Sequence, residues 1–190
     1  LSDILNYRIP ARLREMHTFI ELGPTLEHVQ PLKVITSSLE IAISDQRFLT
    51  HPLADAAVLV ARGLLFFLGI TVQGGSLQAV RPTRYHADDL KMRDLGLSSL
   101  SVSQATQNWQ GVSPARAETL LLLCILAGNK VSAHLTKETA TSINASFSEL
   151  AEAFNLVINL VNREVYDALS LPRVEFVTGS VHGSISKMVL

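Results

Sequence analysis

The run Ser113–His134, SPARAETLLLLCILAGNKVSAH, decides the fold. Ser113 before Pro114 is a helix start. The serine hydroxyl accepts from an early backbone N–H, and the missing N–H of proline costs nothing in the first turn. Leu120 to Leu126 is then apolar on every side, which predicts a helix enclosed by other helices. At Ala127 the sequence turns polar, as AGNKVSAHLT. Lys130 and His134 lie four apart on one face, where cations complement the negative end of the helix dipole. Cys124 sits inside the apolar run and reads as a buried thiol rather than a nucleophile. It is the single cysteine, so no intrachain disulfide is expected.

Outward from this helix the pattern stays helical. Thr141 or Ser142 is placed to cap a last long helix. Ile143, Phe147, Leu150, Phe154, Val157, Val161 and Val165 recur every three or four residues as one packing seam. Asn155, Asn159, Asn162 and Glu164 fall on its other face, and the two long helices are expected to pair antiparallel. Toward the N-terminus, Arg12–Leu22 reads as a helix stopped by Gly23-Pro24. A second is predicted from Pro31 to Asp45, on the spacing of Ile35, Leu39, Ala42 and Ile43. His51-Pro52 opens a third, apolar over most of its circumference and stopped at Gly69. Thr71–Tyr85, punctuated by Gly74-Gly75 and Arg81-Pro82, reads as the longest loop. Short helices are expected over Ala87–Leu95, capped by Gly96, and over Ser98–Trp109. The expectation is an all-α, up-and-down bundle of about five to seven helices over residues 1–172. Residues 173–190 are expected as an extended or hairpin tail.

Composition narrows the function. The chain has 190 residues, 47% apolar and 17% charged, below the roughly 25% charged share of ordinary soluble domains. An apolar surface covered by a second subunit accounts for this, so a homodimer is expected. The net charge of −1 makes no global basic footprint for nucleic acid. The opening LSDILNYRIP lacks a secretion pattern, and the lone cysteine suits a reducing setting, so the expectation is cytoplasmic. The best membrane-span candidate, Leu53–Val72, carries Asp55 and Arg62 and is not read as a span.

Three stretches offer chemistry. Asn129, Lys130 and His134 form the polar end of the Ser113 helix. A cation beside His134 favours the neutral imidazole, which can act as a base. Arg84, Lys91 and Arg93, with Tyr85 among them, form the most basic stretch and a candidate phosphate-binding face, though Asp88, Asp89 and Asp94 offset it. His86, Asp88 and Asp89 could begin a hard-metal site, but carboxylates there are more simply helix-start caps, and no metal or other cofactor is expected.

An apolar helix ending in a polar residue, then four residues and a His, resembles the helical HEPN domains. Their motif is Arg, usually a polar residue next, then His after four to six intervening residues. Here Asn129 stands at the Arg position, Lys130 is the polar residue and His134 the His. The same spacing at Arg12–His17 and Arg81–His86 lies outside that context. The resemblance spans residues 113–169 and implies a small all-helical domain, often dimeric. Many such domains are metal-independent ribonucleases; others are non-catalytic binding modules. Asn129 carries no charge for a phosphate, so the resemblance implies a module without strong catalysis that binds RNA or a protein partner. The alternatives are a ribonuclease with His134 as general acid/base and Lys130 or Asn129 on the phosphate, and a structural homodimer without chemistry.

Overall fold

The Ser113 helix starts where its cap predicts. Arg116 donates its backbone N–H to the Ser113 hydroxyl at 3.2 Å, and α4 runs Pro114–Ser132. The structure, a computed structural model, describes residues 1–28, 32–35, 40–132 and 145–176. Within these residues α4 joins α1 (Ile9–Leu26), α2 (Arg47–Leu68), α3 (Val102–Thr106) and α5 (Phe147–Val161) in an all-α bundle. Two small antiparallel hairpins accompany them, β1–β2 (Leu32–Ile35, Glu40–Ile43) and β3–β4 (Ile70–Gln73, Ser76–Ala79). π-helical turns extend α1 backward over Ile4–Arg8 and α5 forward over Asn162–Asp167.

The core lies where α2 meets α1, α4 and α5, and where α1 meets α5. Leu13, Met16, Phe19, Leu65, Leu120, Leu121 and Phe154 are wholly enclosed there. Each side chain of this size contributes about 1.5–3 kcal/mol by leaving water. The Phe19 ring meets those of Phe147 and Phe154 edge-on, with centroids 5.2 and 5.3 Å apart. At the other end of the pair the Tyr166 hydroxyl donates to the Leu5 carbonyl at 2.7 Å, so α1 and α5 run antiparallel. α4 behaves differently. Arg116 in its first turn pairs with Glu149 and Glu152 at the start of α5, joining two beginnings where an antiparallel pair would join a beginning to an end.

Several local expectations are overturned. α1 does not stop at Gly23-Pro24 but continues to Leu26. A Cβ on Gly23 would stand 2.7 Å from the Phe19 ring, so the glycine makes room for the core aromatic instead of ending the helix. The predicted Pro31–Asp45 helix is the β1–β2 hairpin, with Leu32 opposite Ile43 and Val34 opposite Ile41. Lys33 donates to Glu40 across it at 2.6 Å. α2 begins at Arg47, ahead of Pro52, because Asp45 accepts from the Arg47 backbone at 3.0 Å and from its guanidinium at 2.8 Å. It stops as expected at Gly69, whose φ of +97° only glycine adopts without strain.

The predicted loop after Gly69 contains the β3–β4 hairpin, closed by Gly74 and Gly75 at φ +60° and +80°. Two consecutive left-handed residues match the twist of a tight hairpin. The expected Ala87–Leu95 helix shrinks to one 3-10 turn, Met92–Leu95, stopped by Gly96. The last helix is capped by Ser146, which accepts from Glu149, rather than by Thr141 or Ser142, which lie outside the described residues along with Ile143. Its seam from Leu150 through Val165 is buried, but so is Asn162, which was expected outside. The tail is followed only to Phe176, and residues 177–190 lie outside the description. By length and composition α2 could cross a membrane, but half of its apolar window is buried inside the bundle, as in a core helix.

Candidate functional site

An open cleft of about 390 Å³ forms where α2, β3, the turn after β4 and α4 meet. α2 supplies Leu59, Arg62, Gly63 and Phe66, a three-to-four spacing that puts them on one helical face. β3 supplies Ile70, Thr71 and Val72, and α4 supplies Ile125 and Asn129, one helical turn apart. The turn supplies Arg84, His86 and Asp89. Two guanidiniums, an imidazole, an amide and one carboxylate thus converge over apolar walls, the usual make-up of a ligand site.

The approach of α2 and α4 depends on Gly128. A Cβ there would stand 2.8 Å from both Cβ and Cδ of Arg62 and 3.0 Å from the Val58 carbonyl oxygen. The stem of Arg62 therefore lies directly across the α4 backbone, beside Asn129. No larger residue than glycine leaves that passage open.

The opposite wall is held from several sides. The Tyr85 hydroxyl donates to the Phe66 carbonyl at 3.2 Å, and the two rings pack with centroids 4.8 Å apart. Burial pushes this hydroxyl above the ordinary tyrosine range, so it stays a donor. Asp89 accepts from the His86 backbone at 2.7 Å, and the Lys91 ammonium donates to the His86 carbonyl at 3.1 Å. The same ammonium lies 5.4 Å from the centre of the Tyr85 ring. Arg84 and Arg81 pair with no carboxylate among the described residues. A second cleft of about 330 Å³ adjoins the first, sharing Val72 and Arg84 and adding Gln73, Arg81 and Thr83.

The structure sorts the residues singled out in the sequence. Asn129 and Arg84, from two distant stretches, line the same cleft. Lys130 is exposed on the next position of α4, and His134 lies outside the described residues. Lys91 is only 7% exposed and braces the turn from within, so it is no part of an open basic face. Arg93 is exposed and is not among the residues lining the cleft. Among the described residues no three His, Cys, Asp or Glu side chains gather as metal ligands, and Asp89 serves as a backbone cap for the turn. Sequence reasoning missed Arg62, taking it as a charge that merely interrupts an apolar run. Its signal was the spacing Leu59, Arg62, Gly63, Phe66. Compared with known proteins, the chain matches no family model, and no curated protein or solved structure matches it.

Proposed function

We propose that this chain is a HEPN-like helical module that binds RNA without strong catalysis, with the cleft between α2 and α4 as its binding surface. One observation carries the reading: Arg62, Arg84, His86 and Asn129 reach one cleft from three separate segments. Asn129 offers no charge at the position where the resembled motif has Arg. Arg62 and Arg84 supply guanidinium groups a short way off, and guanidinium is the side chain best matched to phosphate geometry. Such a placement suits holding a phosphate and lacks the motif's own arrangement for cleaving beside it. A net charge of −1 then confines the attraction to this patch instead of spreading it over the surface.

The test is fluorescence anisotropy with a single-stranded RNA at several salt concentrations. Binding is expected to weaken with salt, with a log–log slope of about −1.4 to −2.1 if two or three phosphates are neutralised. The double variant Arg62→Ala, Arg84→Ala is expected to abolish it, and His134→Ala to leave it standing. Binding indifferent to the double variant would sink the reading. Metal-free RNA cleavage that disappears in His134→Ala would replace it with the ribonuclease.

A further inference from the structure

We propose that the larger cleft holds one nucleotide unit, its phosphate on Arg62 and Arg84 and its base and sugar against Phe66 and Leu59, and that Arg81 takes the phosphate of the next unit. This rests on the RNA-binding reading and deepens it, by assigning the size and polarity of what enters.

Size comes first. A volume of about 390 Å³ is that of a small-ligand site and too small for a folded RNA element. Polarity comes second. Arg62, Arg84 and His86 supply charge or polarity, while Leu59, Phe66 and Val72 supply apolar wall, so the cleft offers both kinds of surface that a nucleotide presents. The single carboxylate, Asp89, is outnumbered by the two guanidiniums of Arg62 and Arg84, and its Oδ2 is turned to the His86 N–H at 2.7 Å. Third, the walls are set before any ligand arrives. Gly128 fixes where the Arg62 stem crosses α4, and Tyr85 and Lys91 pin the turn that carries Arg84. A site held in this way loses little conformational freedom on binding. Finally, Arg84 is shared with the second cleft, where Arg81 and Thr83 wait on its far side. A strand leaving the first cleft past Arg84 meets Arg81 next.

The experiment is calorimetric titration of the full chain with inorganic phosphate, uridine monophosphate and the 5′-phosphorylated uridine dinucleotide. Phosphate is expected to bind weakest, the mononucleotide tighter and the dinucleotide tightest. Arg84→Ala should weaken both nucleotides by about tenfold or more, the loss of one charge-assisted contact. Arg81→Ala should weaken the dinucleotide alone; both sites are on the surface, and thermal melting checks that the variants fold. Inorganic phosphate competing as well as the mononucleotide would overturn the proposal, as would Arg81→Ala affecting both nucleotides alike or neither. A longer single-stranded RNA run in parallel separates the two readings. If it binds, is lost in the Arg62→Ala, Arg84→Ala double variant, and neither nucleotide binds, the cleft holds RNA in another way and this inference fails alone. If the nucleotides bind as described and the long RNA does not, the site stands as one for free nucleotides and the RNA-binding reading fails.

Discussion

Gly63 and Gly128 sit on the two helices that bound the cleft, yet a methyl group would be felt at only one of them. Around Gly63 a Cβ meets nothing within 4 Å. Gly63→Ala therefore changes only backbone freedom in a helix interior and should stabilise by about 0.5–1 kcal/mol. At Gly128 the Cβ would press on the Arg62 stem and the Val58 carbonyl, the latter being backbone that cannot swing aside. Gly128→Ala should destabilise by about 1–3 kcal/mol, as overpacking does. Urea unfolding of the two variants checks both signs at once. A stabilising Gly128→Ala would mean that α2 and α4 are not so closely apposed. If the variant still folds, its displaced Arg62 should also weaken nucleotide binding.

At the scale of elements, Asn162 ties the end of the chain's described part to α5. Its amide donates to the Val174 carbonyl at 3.1 Å, and its carbonyl accepts the Val174 N–H at 2.9 Å. The side chain thus imitates one rung of a β-ladder, which is why an asparagine sits 5% exposed on a helix face expected to meet water. Stacking of Phe176 on His17, 4.5 Å between centroids, holds the same segment on α1. Asn162→Ala leaves two backbone groups without this partner and should cost about 1–3 kcal/mol. The Val174 amide should exchange with solvent much faster in the variant; unchanged exchange would show that the clamp does not hold the segment. This contact also marks how far the sequence could be read. Periodicity located the seam of α5 and the Ser113 start of α4, because caps and apolar stripes are local signals. It mistook β1–β2 for a helix, since a short apolar run fits both periods. It also read Gly74-Gly75 as a loop rather than a hairpin turn. Asn129 and Arg84 were picked out separately, but their meeting was not legible. It depends on the β3–β4 hairpin and on Gly128 admitting Arg62, which are contacts between distant segments. The burial of Lys91 escaped for the same reason.

For the whole molecule, the most enclosed ionisable groups set its response to alkali. Cys124 is wholly buried in the middle of α4, and burial pushes its thiol from 9.0 up to about 12. Tyr166 closes α5 onto the N-terminal turn, and burial pushes its hydroxyl from 10.0 to about 12. Both are acids whose neutral form the fold keeps. Above pH 9 the unfolded chain releases the thiol proton while the folded chain retains it. Stability must then fall by about 1.4 kcal/mol per pH unit. Above pH 10 the unfolded tyrosine ionises as well and the slope steepens, until the folded groups titrate near 12. Below pH 9 neither group contributes any dependence. Cys124→Ala removes the first of these and leaves the second. Its urea midpoint should track the wild type at a constant offset up to pH 9, the offset reflecting the small void left behind. From pH 9 to 11 the two curves should converge as the wild type alone loses the thiol contribution. Parallel curves across that range would place Cys124 in contact with water through partial opening, and a thiol reagent would then label it without denaturant. In the enclosed state that the structure describes, labelling at neutral pH should wait for unfolding of the α2–α4–α5 core, so the labelling rate and the urea-derived stability should report the same opening.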